Sequence, residues 1–197
     1  TPGGTQQSTS APRRSRRSRP LCPPLGHVLR HRMPGRGVRF HCVPLGKRYP
    51  VSAAEYREVL TRYNAVLGAM LEESDCAAIY LVTVEYGAAD LAAGTEPVHV
   101  GLHPGAVPWL TTVDPEDPEV AYDLHVSRGQ FTPGSLDELL RYVADDRTDG
   151  VVVTDLAMRW LFHPYDGGMD VIAPSVGERD RLAARFGTWL SDRPDGL

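Results

Sequence analysis

No apolar run in the 197 residues approaches the ~20 needed to cross a bilayer, so a membrane span is excluded as a reading. The basic N-terminus is not followed by the roughly 7–15-residue apolar segment of a secretory signal, and a cytoplasmic location is the expectation. Cysteine is scarce. Cys22, Cys42 and Cys76 are odd in number and irregularly spaced, which argues against a disulfide framework. The lack of any Cys-x-x-Cys pair argues against a zinc ribbon or a thioredoxin-type site. The common catalytic signatures are missing as well: no Gly-x-Ser-x-Gly elbow, no phosphate-binding Gly-x-x-x-x-Gly-Lys loop and no His-Glu-x-x-His helix. Gly35 and Gly37 have no strand before them and no helix directly after, so they form no dinucleotide fingerprint. No cofactor and no metal are expected.

Acidic residues are absent from the first 39 positions, and there the charge becomes informative. The whole chain carries 21 Lys+Arg and 25 Asp+Glu, a formal −4. Residues 1–39 hold nine arginines and no acid, which leaves −13 for the remainder. An acidic body repels nucleic acid and anionic membranes, and a basic tail attracts both. Residues 1–37 are rich in Arg, Pro and Ser, with too few apolar side chains to offset the entropy of ordering, so they are expected to form a disordered tail. Arg13, Arg14, Arg16, Arg17 and Arg19 suit phosphate contacts, but no aromatic residue interleaves with them as a stacking platform. Two readings of this stretch follow. Met33, just ahead of the first foldable segment, marks the true start and residues 1–32 carry no function; or the tail binds polyanions. Nucleic acid is a partner only through the tail.

The rest reads as one domain over residues 38–197. Val38–Val43 alternates as a short strand. Ser52-x-x-Glu55 is a capping box, and Tyr56, Val59, Leu60, Tyr63, Val66, Leu67, Met70 and Leu71 then form one helical stripe. Ala77–Glu85 is apolar enough to be a central strand covered on both faces. Gly87–Pro97 is a loop, Val98–Leu102 and Trp109–Val113 are strands, Asp114–Glu119 is an acidic turn, and Val120–Val126 is another strand. A second capping box, Ser135-x-x-Glu138, opens a helix with Leu136, Leu139, Leu140 and Val143. Strands at Val151–Thr154, Ala157–Phe162 and Met169–Ala173 follow. A third box, Ser175-x-x-Glu178, opens a last helix with Leu182, Phe186, Trp189 and Leu190 on one face. Strands joined by short turns pair antiparallel, since a parallel return needs a long crossover. The expected fold is therefore α+β: a mainly antiparallel sheet with about three helices, predominantly on one face.

The stretch from Trp160 to Ala173 is the most distinctive. Asp166-Gly167-Gly168 lies between two apolar runs and signals a hairpin. Tyr165, Asp166, Gly167, Gly168, Asp170, Val171 and Ile172, with the later Trp189-Leu190 pair, resemble the C-terminal end of a bacterial family of uncharacterised proteins, a domain of unknown function. Arg39–Pro50 with Glu55-Tyr56 is similar to the start of such proteins. The resemblance covers residues 39–197. It implies a shared fold and no known activity, so it supplies no catalytic residues.

His163, Asp166 and Asp170 are the candidate catalytic residues, because a histidine and two carboxylates near a turn suit a divalent ion or acid–base chemistry. Against this stands a plain hairpin in which Asp166 bonds its own turn and Asp170 faces solvent. His99 and His103 are four apart, but Gly101 and Pro104 oppose a helix, and in a strand they stand about 13 Å apart, too far for one ion. His125 is a lone strand residue expected at the surface. The leading functional reading is a non-enzymatic module that binds a basic protein, in the manner of small acidic immunity proteins, because acidic surfaces steer basic partners. The alternatives are a small metal-dependent or acid–base hydrolase at the 163–170 hairpin and polyanion binding through the tail.

Overall fold

The computed structural model describes residues 33–72, 77–86, 98–113, 117 and 119–190. The expected tail over residues 1–32, the polar turn at 73–76, the loop at 87–97 and most of the acidic turn at 114–119 lie outside the described residues. Seven strands form one sheet in the order β1-β7-β6-β5-β2-β4-β3. They are β1 (Gly37–His41), β2 (Ala78–Tyr86), β3 (Val107–Val113), β4 (Ala121–Gln130), β5 (Val152–Asp155), β6 (Leu161–Tyr165) and β7 (Gly168–Ile172). Every pairing is antiparallel. The helices are α1 (Ala53–Glu72), the single turn α2 (Val98–Gly101), α3 (Asp137–Ala144) and α4 (Val176–Arg185). The fold is α+β.

Side-chain alternation along the strands assigns each residue to one of two faces. Val38, Phe40, Ile79, Leu81, Val153, Phe162, Met169 and Val171 face α1, α3 and α4 and share one core with Tyr63, Val66, Leu67, Leu140, Val143 and Leu182. Fully burying an aliphatic or aromatic side chain of this kind contributes about 1.5–3 kcal/mol. Tyr63 meets Phe162 edge-on, with ring centres 6.2 Å apart. The opposite face carries a smaller cluster of Val82, Val84, Tyr122, Leu124 and Val152, to which no helix among the described residues contributes. β2 is an interior strand, buried on both faces, as its near-continuous apolar run requires.

The three capping boxes meet different fates. The Ser52 hydroxyl accepts from the Glu55 amide at 3.3 Å, and the Glu55 carboxylate reaches past Ser52 to the Val51 amide at 2.7 Å. The Lys47 ammonium also donates to Glu55 and holds its carboxyl below the usual range. Ser175 caps α4 by accepting from the Glu178 amide at 3.2 Å, while the Glu178 carboxylate takes Arg181. The Ser135-x-x-Glu138 box does not form. α3 starts at Asp137 without a side-chain cap, and the Ser135 hydroxyl instead accepts from the Thr132 amide inside the preceding turn.

Three element assignments are corrected. The strand expected over Ala157–Phe162 begins only at Leu161 and runs on to Tyr165, and Ala157 lies in the turn before it. Val98–Leu102, expected as a strand, instead holds one helical turn, Val98–Gly101, closed by Leu102 N–H donating to Val98 C=O at 2.9 Å. The last helix ends at Arg185 and a 3₁₀ turn, Gly187–Trp189, follows. Trp189 stacks on Phe186 at 4.9 Å, and Leu190 bridges to Phe40 beside the β1 edge.

Candidate functional site

The Asp166-Gly167 turn joins β6 to β7 as a two-residue hairpin in which Tyr165 pairs with Gly168. Gly167 takes φ +81° and Asp166 does not join it at positive φ, so the loop differs from the type I′ turn that Asp-Gly usually forms. The hairpin tip is covered rather than projecting. Cys42 N–H donates to Gly167 C=O at 3.0 Å, and a Cβ at Gly168 would lie 2.7 Å from Tyr165 Oη and 2.8 Å from Phe40 C=O. Close backbone approach, not turn geometry alone, demands the second glycine. The Asp166 carboxylate pairs with Arg48, whose charge also stands 4.0 Å from Asp146.

Asp170 is expected on a solvent face, yet it is 5 % exposed. It lies on the helix-free side of the sheet, between Arg39 of β1 and His163 of β6 in the strand register. Arg39 donates two bonds to it, at 2.8 and 3.2 Å. The same guanidinium lies 5.4 Å from the centre of the Tyr165 ring, and His163 lies 5.9 Å from that ring. Burial, with the Asp170 charge adding to it, pushes the Tyr165 phenol up. His163 and Asp170 are thus cross-strand neighbours, while Asp166, expected to bond its own turn, pairs with Arg48 instead. Among the described residues no three His, Cys, Asp or Glu side chains are grouped to hold a metal ion.

The segments carrying the family resemblance pack on each other. Besides Arg39–Asp170 and Arg48–Asp166, Tyr63 Oη donates to Tyr165 C=O at 2.7 Å and Arg62 to His41 C=O at 3.1 Å. Arg36 donates to Ala173 C=O at 2.6 Å and Arg159 C=O at 2.9 Å. Arg36 and Arg39, counted with the tail by sequence, therefore belong to the folded body, whose charge becomes −11. Cys42 is fully buried, and desolvation pushes its thiol up to about 11.

The histidines hold the largest departure from expectation. His125 is buried rather than exposed, on the helix side of β4. His103 is 2 % exposed and joins two strands: Nδ1 lies 2.9 Å from Thr83 Oγ1 and Nε2 2.7 Å from Ser127 Oγ. This network locks the α2 turn onto β2 and β4. Its members are 20 and 24 residues apart in the chain, so no local pattern announces it.

One surface remains uncovered by described residues. β3 is an edge strand, and Val107, Trp109, Leu110 and Val113 are exposed along it. A bulge between Pro108 and Leu110 turns Trp109 and Leu110 together toward the helix-free face. There a groove of about 300 Å³ is floored by Val82, Val126, Val152 and Leu161 and walled by Trp109 and Met158. Met158 holds φ +53°, a left-handed backbone that non-glycine residues rarely adopt, and is 54 % exposed.

A family model described as Domain of unknown function (DUF3885) matches residues 25–194, beginning inside the stretch read as a tail. No curated protein and no solved structure matches the chain.

Proposed function

The chain belongs to the DUF3885 family, and from that premise we propose that it is a non-enzymatic interaction module for a basic protein partner. One observation carries this reading: an exposed apolar edge strand that the sequence continues into an acidic run. Val107, Trp109, Leu110 and Val113 stay exposed on β3. Asp114, Glu116, Asp117 and Glu119 follow directly in the sequence. Exposed apolar side chains with tryptophan as an anchor are the material of a protein interface core. A body charge of −11 steers basic partners toward it.

The acid–base alternative at His163, Asp166 and Asp170 is weaker, since Arg39 and Arg48 already engage both carboxylates. Polyanion binding rests on residues outside the described structure and gains no support from the fold.

Affinity capture from the native host, with wild type beside Leu110→Asp, tests the reading. The expected result is a basic protein retained by wild type at low salt, released at high salt and not retained by the variant. Equal recovery by both proteins, or no recovery at low salt, overturns it.

A further inference from the structure

The helix-free groove has a chemical character of its own, distinct from the acidic run that follows β3 in the sequence. Its floor is two adjacent rows of cross-strand neighbours. Val126, Val82 and Val152 form one row, and Tyr80, Thr154 and Leu161 form the other. The second row continues onto β4 through Arg128, which pairs with Tyr80 in the register. Neighbouring strands stand about 4.8 Å apart, so the guanidinium stem begins one strand spacing from the Tyr80 ring, on the same face.

The polar groups around this floor differ in what they already do. Thr154 Oγ1 donates to Trp160 C=O at 2.5 Å and is committed. Arg159, next to Met158, pairs with Asp155 at 2.6 Å. Arg128 is exposed and has no ion pair or hydrogen bond among the described residues, and the Tyr80 hydroxyl has none either. An uncommitted phenol thus lines the apolar trough, and an uncommitted cation is its cross-strand neighbour on the same face. Its volume, about 300 Å³, is at the small end for ligand sites.

The geometry points to a binding site for a small amphipathic carboxylic acid. Its apolar body lies on Val82, Val126, Val152 and Leu161 between Trp109 and Met158, and its carboxylate is held by Arg128 and Tyr80 Oη. An anion is otherwise disfavoured by a body of −11, so selectivity for an acid depends on Arg128. Burial of the alkyl or aryl part supplies the affinity, and the charge-assisted bond to the guanidinium selects acids over isosteric alcohols.

The test titrates the full chain with hexanoate and with 1-hexanol at neutral pH, followed by amide and methyl NMR shifts. Hexanoate is expected to give saturable shifts at Val82, Val126 and Val152 and to bind more tightly than the alcohol. Arg128→Gln, an exposed substitution that leaves the fold intact, removes that preference and weakens hexanoate by about tenfold. Val126→Phe fills the trough and abolishes binding of both probes. The absence of saturable shifts at these valines, or equal hexanoate affinity in wild type and Arg128→Gln, overturns the assignment. Neither result bears on whether β3 binds a protein.

Discussion

Replacing Asp170 by Asn should destabilise the protein severely, although the substitution changes one atom. Asp170 is 5 % exposed, and Arg39 reaches it with two bonds at 2.8 and 3.2 Å. At an effective dielectric near 20, opposite charges about 4 Å apart attract by about 4 kcal/mol. Removing one member of a buried pair costs about 3–5 kcal/mol, because the other charge stays buried without compensation. Asparagine retains one acceptor, so the lower end applies, about 3 kcal/mol. For a chain of this size each kcal/mol lowers Tm by roughly 2–4 °C, so a fall of about 6–12 °C is expected. Urea unfolding followed by far-ultraviolet circular dichroism measures it. The double variant Arg39→Met/Asp170→Leu removes both charges and should recover most of the loss, since an apolar pair of similar volume satisfies the same site. A loss below about 1 kcal/mol for Asp170→Asn, or a double variant as unstable as the single one, would refute the reasoning.

Other outcomes follow from the same geometry. Ser175→Ala and Ser52→Ala should each lose about 1 kcal/mol in urea melts, while Ser135→Ala, which caps nothing, should stay within about 0.5 kcal/mol of wild type. Gly168→Ala should cost about 2–3 kcal/mol, because the new methyl meets Phe40 C=O, a backbone atom that cannot move without shifting β1. Cys42 should resist alkylation until the chain unfolds, as peptide mapping after iodoacetamide treatment would record. Its thiol is raised from 9.0 to about 11 by burial, so the folded chain holds that proton more tightly than the unfolded one. The corresponding stability is complete below pH 9.0 and is lost as pH rises through about 11. Chemical denaturation across that range should show a falling limb of up to about 1.4 kcal/mol per pH unit, shallower in Cys42→Ala.

The helical stripes, the apolar run of β2 and the Asp-Gly hairpin are local patterns, and local patterns placed most elements. Val98–Gly101 misled because Val-His-Val alternates like a strand, whereas the chain there closes one turn and is tied down through His103 to Thr83 and Ser127. Ser135-x-x-Glu138 has the right spacing, yet the preceding Pro133-Gly134 turn captures the hydroxyl first. The candidate residues His163, Asp166 and Asp170 were visible as residue types near a turn. Their partners were not, because Arg39 and Arg48 lie 131 and 118 residues away in sequence. Arg36 was hidden for another reason: it falls in the Arg-rich stretch 1–37 that reads as a tail, yet it bonds the Ala173 and Arg159 carbonyls. The groove on the helix-free face was invisible for a related reason. Its wall depends on a bulge at Trp109 and a left-handed Met158, neither of which the sequence marks.

The central claim, that β3 is the face presented to a basic protein, is tested most directly by amide hydrogen exchange of the full chain with and without the captured protein. The account predicts new protection confined to residues 107–113 and the acidic positions that follow them, with α1, α3 and α4 unchanged. Protection over the helices with β3 exchanging as in the unbound chain would contradict it.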